Sequence, residues 1–359
     1  MHKSDDFNYF SIFKHIDISS SSLDEQAKLI SNMKDFFEGV NLYHSHSYKR
    51  KKKTYKIVWK KGSTKLLDYS KHSLKSNYVF LMIPSLINKS YILDLKKHLS
   101  LMDYISAHHI NCYLLDWGEP NIEEQGYKIE DFIVNRIKHV IEFLDKLHGK
   151  KIIVGGYCMG GIMALACAQI YDKFISKLLL IATPWNFSGM GNLVNVEFLA
   201  KQMENFTNVK KIPPQMVQGS FCFLDPEKVF SKFVKFSKLD QNSEEAENFV
   251  AVEKWINDGI SVPIKVAHEF LYDFSSNNVL KMGKWSVRGV KINPNKIQIN
   301  TYIALPINDR IVPLNSSLPL AEDIINKQVV MSEAGHIGLV VGRRAKDALW
   351  NPLVYWIKT

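Results

Sequence analysis

The residues with the clearest chemical potential are Gly156-Tyr157-Cys158-Met159-Gly160. They end the apolar run Lys151–Tyr157 and lead into a helix-like stretch, Gly161–Tyr171. A nucleophile between two glycines, at a junction of strand and helix, is the G-x-nucleophile-x-G elbow, here with cysteine where serine is usual. The sharp turn lifts the nucleophile above the sheet, and Gly156 and Gly160 let strand and helix close up without side-chain clash. The Met159 amide then opens the helix, where it can stabilise a thiolate or a developing oxyanion. The alternative is a glycine-rich turn that buries an inert cysteine, and the pentapeptide alone leaves both open.

Two further residues extend the chemistry. The run Ile297–Leu305 leads into Pro-Ile-Asn-Asp-Arg-Ile-Val-Pro, which puts Asp309 on the loop after a late strand. Another run, Gln328–Ala334, leads into Gly-His-Ile-Gly, which puts His336 on the loop after the last strand. Nucleophile, acid, histidine is the chain order of α/β-hydrolase triads. Each lies at the carboxyl end of its strand, where open α/β sheets hold their sites. An imidazole beside the thiol would make it an activated nucleophile at neutral pH, with the carboxylate orienting the imidazole.

The elements that must position these groups alternate. Tyr55–Trp59 and Leu66–Tyr69 flank Lys-Lys-Gly-Ser-Thr and predict a hairpin. Tyr78–Ser85, Asn111–Trp117, Lys151–Tyr157 and Lys177–Pro184 are continuous apolar runs of strand length, as expected of a parallel sheet covered on both faces. Between them, Ile92–Ala107, Ile129–Leu147 and Gly161–Tyr171 predict helices, and a final one is expected around Arg344–Ile357. The fold class is α/β: a doubly wound, mostly parallel sheet of the α/β-hydrolase type, with a cap insertion and an N-terminal helical extension. The expected divisions are an extension over 1–45, core over 46–185, cap over 186–295 and core again over 296–359. In the extension a helix capped near Ser22 carries Leu23, Ala27, Leu29, Ile30, Met33, Phe36 and Phe37 at helical spacing. The cap is rich in aromatics, among them Trp185, Phe187, Phe206, Phe221, Phe223, Phe230, Phe233, Phe236, Trp255, Phe270 and Tyr272, most of which are expected to form its own core.

Composition narrows the class. Apolar residues make up 46 % and charged residues 23 % of 359, which argues against disorder and fibrous structure. The net charge of +10 is concentrated in Tyr48–Lys65. Such a run can meet an anionic partner, but its segment Lys49–Lys61 lacks a nucleic-acid module and reads first as a solvated hairpin, so nucleic acid is not the expected partner. Cys112, Cys158, Cys167 and Cys222 match no metal knuckle or disulfide framework, so a reduced, cytoplasmic setting and no metal are expected. Cys112, Cys167 and Cys222 read as packing residues, and His108-His109 as surface. The first residues lack the apolar segment of a secretory signal, and no apolar run reaches the length of a transmembrane helix.

Taken in order, Pro84–Leu95, Tyr113–Pro120, Gly155–Gly161, Glu253–Gly259, Asn308–Pro313 and Glu333–Gly338 resemble the signature blocks of polyhydroxyalkanoate synthases, most of all the short class III catalytic subunit. The resemblance runs from about residue 50 to the end. It implies an acyltransferase that polymerises (R)-3-hydroxyacyl-CoA into poly-3-hydroxybutyrate-like polyester with release of CoA. By that resemblance Cys158 carries the growing chain as a thioester and His336 removes the thiol proton. Asp309 orients the histidine or helps to activate the substrate hydroxyl. The oxyanion hole would be the Met159 amide with a partner from the loop after Tyr78–Ser85, the backbone around Leu86. CoA thioester enters as substrate, with no bound cofactor. A second, non-catalytic synthase subunit, a homo- or hetero-oligomer and a place at the polyester granule surface are also implied. Two positions depart from the family pattern: Arg310 follows the acid where histidine is common, and Ser85 stands where a second proline is frequent.

The bottom-up chemistry agrees. Cysteine exchanges one thioester for another at little cost, and a cap that excludes water lets a substrate hydroxyl compete for the acyl group. The other readings are a cysteine thioesterase or hydrolase on the same fold, and a non-catalytic binding protein using Lys49–Lys61.

Overall fold

The computed structural model describes residues 23–51, 53–71, 76–189 and 209–359. The N-cap expected at Ser22 and the aromatic ring of Phe206 lie outside the described residues, as do the side chains of Leu23, Ala27, Phe221 and Phe223. The chain forms two compact units. One combines residues before Lys53 with Pro213–Gly259, and the other combines Lys53–Ile212 with Ile260–Thr359.

The larger unit is built on one eight-stranded sheet. Its strands are β1 (Lys56–Lys61), β2 (Thr64–Asp68), β3 (Val79–Ile83), β4 (Asn111–Asp116), β5 (Ile152–Tyr157), β6 (Ile175–Ile181), β7 (Asn300–Pro306) and β8 (Lys327–Ser332). Their order across the sheet is β1-β2-β4-β3-β5-β6-β7-β8. β1 and β2 form an antiparallel hairpin, and β2 meets β4 antiparallel. All pairings from β4 to β8 are parallel. β3 and β5 are buried at every residue, which is why their sequence is unbroken apolar rather than alternating. Each large apolar side chain so buried contributes roughly 1.5–3 kcal/mol.

Helices cover both faces. Met159–Ile170 is buried on nearly all sides, from Met159 to Ala168, and is correspondingly apolar all round. Lys138–His148 is amphipathic, with Val140, Ile141 and Leu144 buried. It stops at Gly149, whose φ of 61° is a left-handed C-cap and whose N–H bonds the Asp145 carbonyl at 2.7 Å. Between Ile129–Phe132 and that helix, the chain widens into a π-helical turn over Ile133–Ile137. This turn carries Arg136, which is fully buried and paired with the equally buried Glu124 at 2.8 Å.

The helix expected over Ile92–Ala107 is only half present. The segment makes a 3-10 turn at Ser90–Leu93, a short hairpin of Asp94–Lys96 with Leu99–Ser100, and a helix from Leu101 to Ala107. The cause is Asp94, whose buried carboxylate takes Lys53 Nζ at 2.6 Å and the hydroxyls of Tyr55 and Tyr69. Those bonds hold the backbone out of a helix. Helicity begins where Ser100 Oγ accepts the Asp103 N–H at 3.0 Å.

In the smaller unit the helices Leu23–Ser45, Pro226–Ser237 and Glu244–Asn257 share one core of Phe36, Val40, Tyr43, Val229, Phe233, Phe236, Ala246 and Val250 with Cys222. Phe36 stacks on Phe230 with ring centroids 5.1 Å apart, and Phe236 on Phe249 at 4.2 Å. Trp185 and Phe187 instead belong to the larger unit, where Phe187 meets Phe270 edge to face. Cys112, Cys167 and Cys222 are free and buried. Among the described residues no helix is long and apolar enough to cross a membrane.

Candidate active site

Cys158 sits between β5 and the helix Met159–Ile170, with φ 55° and ψ −126°. A non-glycine residue adopts such a conformation only where its surroundings enforce it. Here the Cys158 N–H is bonded to the Ile181 carbonyl at 2.9 Å, and the Cys158 carbonyl accepts the Gly161 N–H at 2.9 Å. The flanking glycines permit the turn. A methyl group on Gly156 would overlap the backbone of Gly160 and Gly161, and one on Gly160 the carbonyls of Ile83 and Pro84. One on Gly161 would overlap the Thr183 side chain. Cys158, unlike the other cysteines, is a partly exposed residue.

The loops after β7 and β8 are laced together. Ile307 N–H bonds the Ser332 carbonyl at 2.7 Å, Asn308 N–H bonds the Ala334 carbonyl at 3.2 Å, and Asn308 Nδ2 bonds the Glu333 carbonyl at 2.7 Å. The lacing brings Asp309 Oδ2 to 2.6 Å from His336 Nδ1, both groups buried. The other carboxylate oxygen accepts the Ile311 and Val312 N–H groups, each at 2.8 Å. Asp309 is thus fixed from one side and fixes the imidazole from the other.

Burial alone would lower the pKa of His336. The charges of Cys158 and Asp309, with a hydrogen bond to each, outweigh it and push the imidazole up to about 10. Asp309 thus touches His336 directly, and Cys158 lies near enough to raise the imidazole. The remaining cysteines are chemically muted: burial raises the thiol of Cys222 to about 11 and raises those of Cys112 and Cys167 as well.

Met159 is buried at the first position of its helix. Leu86 is buried in the loop after β3, where the Pro84 carbonyl accepts Trp117 Nε1 at 3.1 Å and Ser85 Oγ accepts the Ile87 N–H at 3.3 Å. Gly160 lies against this loop, so the two segments that carry the expected oxyanion donors are neighbours. Sequence reasoning missed Tyr157. Its buried hydroxyl donates to the His336 carbonyl at 3.3 Å, and its ring lies 5.1 Å from the imidazole. The available signal was its place inside the elbow, one residue before the nucleophile. Among the described residues there is no cluster of three or more His, Cys, Asp or Glu able to hold a metal ion.

The chain is 26 % identical over 311 residues to the poly(3-hydroxyalkanoate) polymerase subunit PhaC of Haloferax mediterranei, covering 84 % of this chain and 63 % of that protein. It is 26 % identical over 318 residues to the subunit of the same name from Haloarcula marismortui, covering 84 % and 66 %. With that of Allochromatium vinosum it shares 24 % over 288 residues, covering 77 % and 79 %. The chain thus spans about two thirds or less of the length of its haloarchaeal relatives.

Solved structures agree on the fold. A lipase-like protein from Sulfolobus solfataricus superposes with a TM-score of 0.54 at 14 % identity, over 86 % of this chain and 99 % of that one. A thermophilic esterase from Thermogutta terrifontis gives 0.52 at 15 %, over 86 % and 98 %. The family model of the alpha/beta hydrolase fold matches residues 78–342. The chain belongs to that family.

Proposed function

We propose that this chain is an acyltransferase of the polyhydroxyalkanoate synthase type, with Cys158 as nucleophile, His336 as proton carrier and Asp309 as the group that orients it. The carrying observation is the convergence of a partly exposed cysteine on a strained elbow, a buried imidazole it acts on, and a carboxylate 2.6 Å from that imidazole. The relatives of the chain support the choice of transfer over hydrolysis.

The steps follow from the groups present. Cys158 gives its thiol proton to His336 as the sulfur adds to the thioester carbonyl of a (R)-3-hydroxyacyl-CoA, and the amides of Met159 and Leu86 hold the resulting oxyanion. Collapse breaks the carbon–sulfur bond to CoA, which leaves as the thiol with a proton from the His336 imidazolium. The acyl group now sits on Cys158 and His336 is neutral. The hydroxyl of a second hydroxyacyl unit, or of the growing polyester, gives its proton to His336 and attacks the Cys158 thioester. Expulsion of the sulfur, which takes the proton back from His336, forms an oxoester one unit longer. CoA thioester is substrate throughout. The net positive charge favours approach of its phosphates. A second, non-catalytic subunit and a cytoplasmic location at the granule surface belong to this reading.

Incubation with 3-hydroxybutyryl-CoA tests it. Free thiol should appear together with insoluble polyester, and both should vanish in Cys158→Ala. Free 3-hydroxybutyrate as the sole acyl product would make the protein a hydrolase instead.

A further inference from the structure

We infer that Trp117 is a positioning residue for the oxyanion-binding loop, and that the buried Glu124–Arg136 pair holds Trp117 in place through Ser63; the inference rests on the Cys158 mechanism proposed above. Trp117 follows β4 and is 2 % exposed. Its indole Nε1–H donates to the Pro84 carbonyl at 3.1 Å. Pro84 opens the loop after β3 that carries Leu86. The peptide after Pro84 is trans, and a trans peptide is planar. A fixed Pro84 carbonyl therefore fixes the Ser85 N–H and the direction in which the chain runs on to Leu86. Ser85 Oγ closes that turn by accepting the Ile87 N–H at 3.3 Å.

Pro84 also meets the elbow. A methyl group on Gly160 would lie 2.8 Å from the Pro84 oxygen and 2.2 Å from the Ile83 oxygen. The helix that opens with Met159 thus presses on the same carbonyl that the indole binds. An oxyanion hole works only if its donors are held at a fixed separation before the reaction begins. The Pro84 carbonyl is the point where the two segments that carry those donors touch, and Trp117 is the side chain bonded to it.

A buried tryptophan ordinarily finds some acceptor for its N–H. Here the residue is also anchored from behind. Gly62-Ser63 is the turn between β1 and β2, and Ser63 Oγ donates to the Trp117 carbonyl at 2.6 Å. Gly118, with φ 65°, has no room for a side chain, since a methyl group there would lie 2.7 Å from the Ser63 carbonyl oxygen. The Ser63 N–H bonds both oxygens of the Glu124 carboxylate at 3.2 Å, and Glu124 is paired with Arg136 at 2.8 Å, both fully buried. Phe132 closes edge to face on the Trp117 ring, with centroids 5.4 Å apart. Arg136, Glu124, Ser63, Trp117 and Pro84 form an unbroken run of direct contacts. An ion pair with no part in the chemistry therefore ends at the loop that binds the developing charge.

Trp117→Phe tests this, because it keeps an aromatic ring beside Phe132 and removes the N–H. With 3-hydroxybutyryl-CoA, kcat for thiol release should fall roughly three- to tenfold, the worth of one such bond, with KM unchanged. Alkylation of Cys158 by iodoacetamide, which forms no oxyanion, should keep its rate. Ser63→Ala loses the hydroxyl bonded to the Trp117 carbonyl and should show the same split more weakly, and it decides the matter if Trp117→Phe does not fold. An unchanged kcat, a rise in KM alone, or an alkylation rate that falls in step with kcat would overturn the inference. Thiol release that does not depend on Cys158 would instead bring down the mechanism on which it rests. Free acid in place of polyester would leave it standing, because hydrolysis passes through the same oxyanion.

Discussion

Asp309 Oδ2 lies 2.6 Å from His336 Nδ1, while Asp309 Oδ1 is occupied by the backbone N–H groups of Ile311 and Val312. The carboxylate cannot rotate away without giving up those two bonds. It therefore presents one oxygen to one imidazole nitrogen.

Replacing Asp309 by asparagine keeps the shape but removes the charge that favours imidazolium. Thiol release from the acyl-CoA should fall by roughly 10²–10⁴, the usual worth of positioned acid–base help. The amount of chain labelled on Cys158 at long times should change less than the rate. Steady-state and single-turnover measurements on the same variant separate the two. An unchanged rate would mean that the 2.6 Å contact is structural only.

Much of this arrangement is legible in the sequence, for identifiable reasons. β3 and β5 show as apolar runs because both their faces are covered, and the elbow shows because close backbone at 156 and 160, and the Thr183 side chain at 161, exclude side chains there. Where local pattern fails, remote partners are responsible. Ile92–Leu99 has helical periodicity, yet Asp94 is bound by Lys53, Tyr55 and Tyr69, which lie 25 to 41 residues earlier. The helices of 213–259 carry ordinary start signals, Asp225-Pro226 and Ser243-Glu244-Glu245, that the aromatic content of the segment obscures. Tyr157 offers only its place in the elbow as a local signal, because its partner is a backbone carbonyl 179 residues away.

Cys158 is the largest influence that raises the pKa of His336. Cys158→Ala should therefore lower the pKa of that imidazole from about 10, as read by NMR titration. The sign for stability follows. A raised histidine pKa stabilises the fold fully below the unfolded value near 6.5, and the contribution drains away as pH climbs to about 10. The decline of the unfolding midpoint across that window should be shallower in the alanine variant. Identical titration of His336 in both proteins would contradict the coupling.

The same coupling predicts selective chemistry at sulfur. With Cys112, Cys167 and Cys222 buried and their thiols raised, iodoacetamide at neutral pH should label Cys158 first and alone in the folded protein. Peptide mapping after partial alkylation reads this directly. Early label on any of the other three would be inconsistent with the packing described.

Glu124 and Arg136 form a fully buried ion pair, and the carboxylate also accepts the Ser63 and Asn121 N–H groups. Removing one partner strands the other charge without water, which costs about 3–5 kcal/mol for buried pairs. Glu124→Ala should lower denaturant stability by that order, well beyond the effect of an exposed change such as Glu333→Ala.

Tyr157→Phe isolates the one contact at the site that the sequence concealed. The ring stays against the imidazole, but the hydroxyl bonded to the His336 carbonyl is lost, leaving that carbonyl buried with one partner fewer. A hydrogen bond of this kind is worth about 0.5–1.5 kcal/mol. If Tyr157 holds the histidine loop in place, the turnover rate should fall up to about tenfold with little change in KM, since the hydroxyl bonds the His336 backbone. A loss of stability with full turnover would make it a packing residue. A change in KM alone would place it at the substrate.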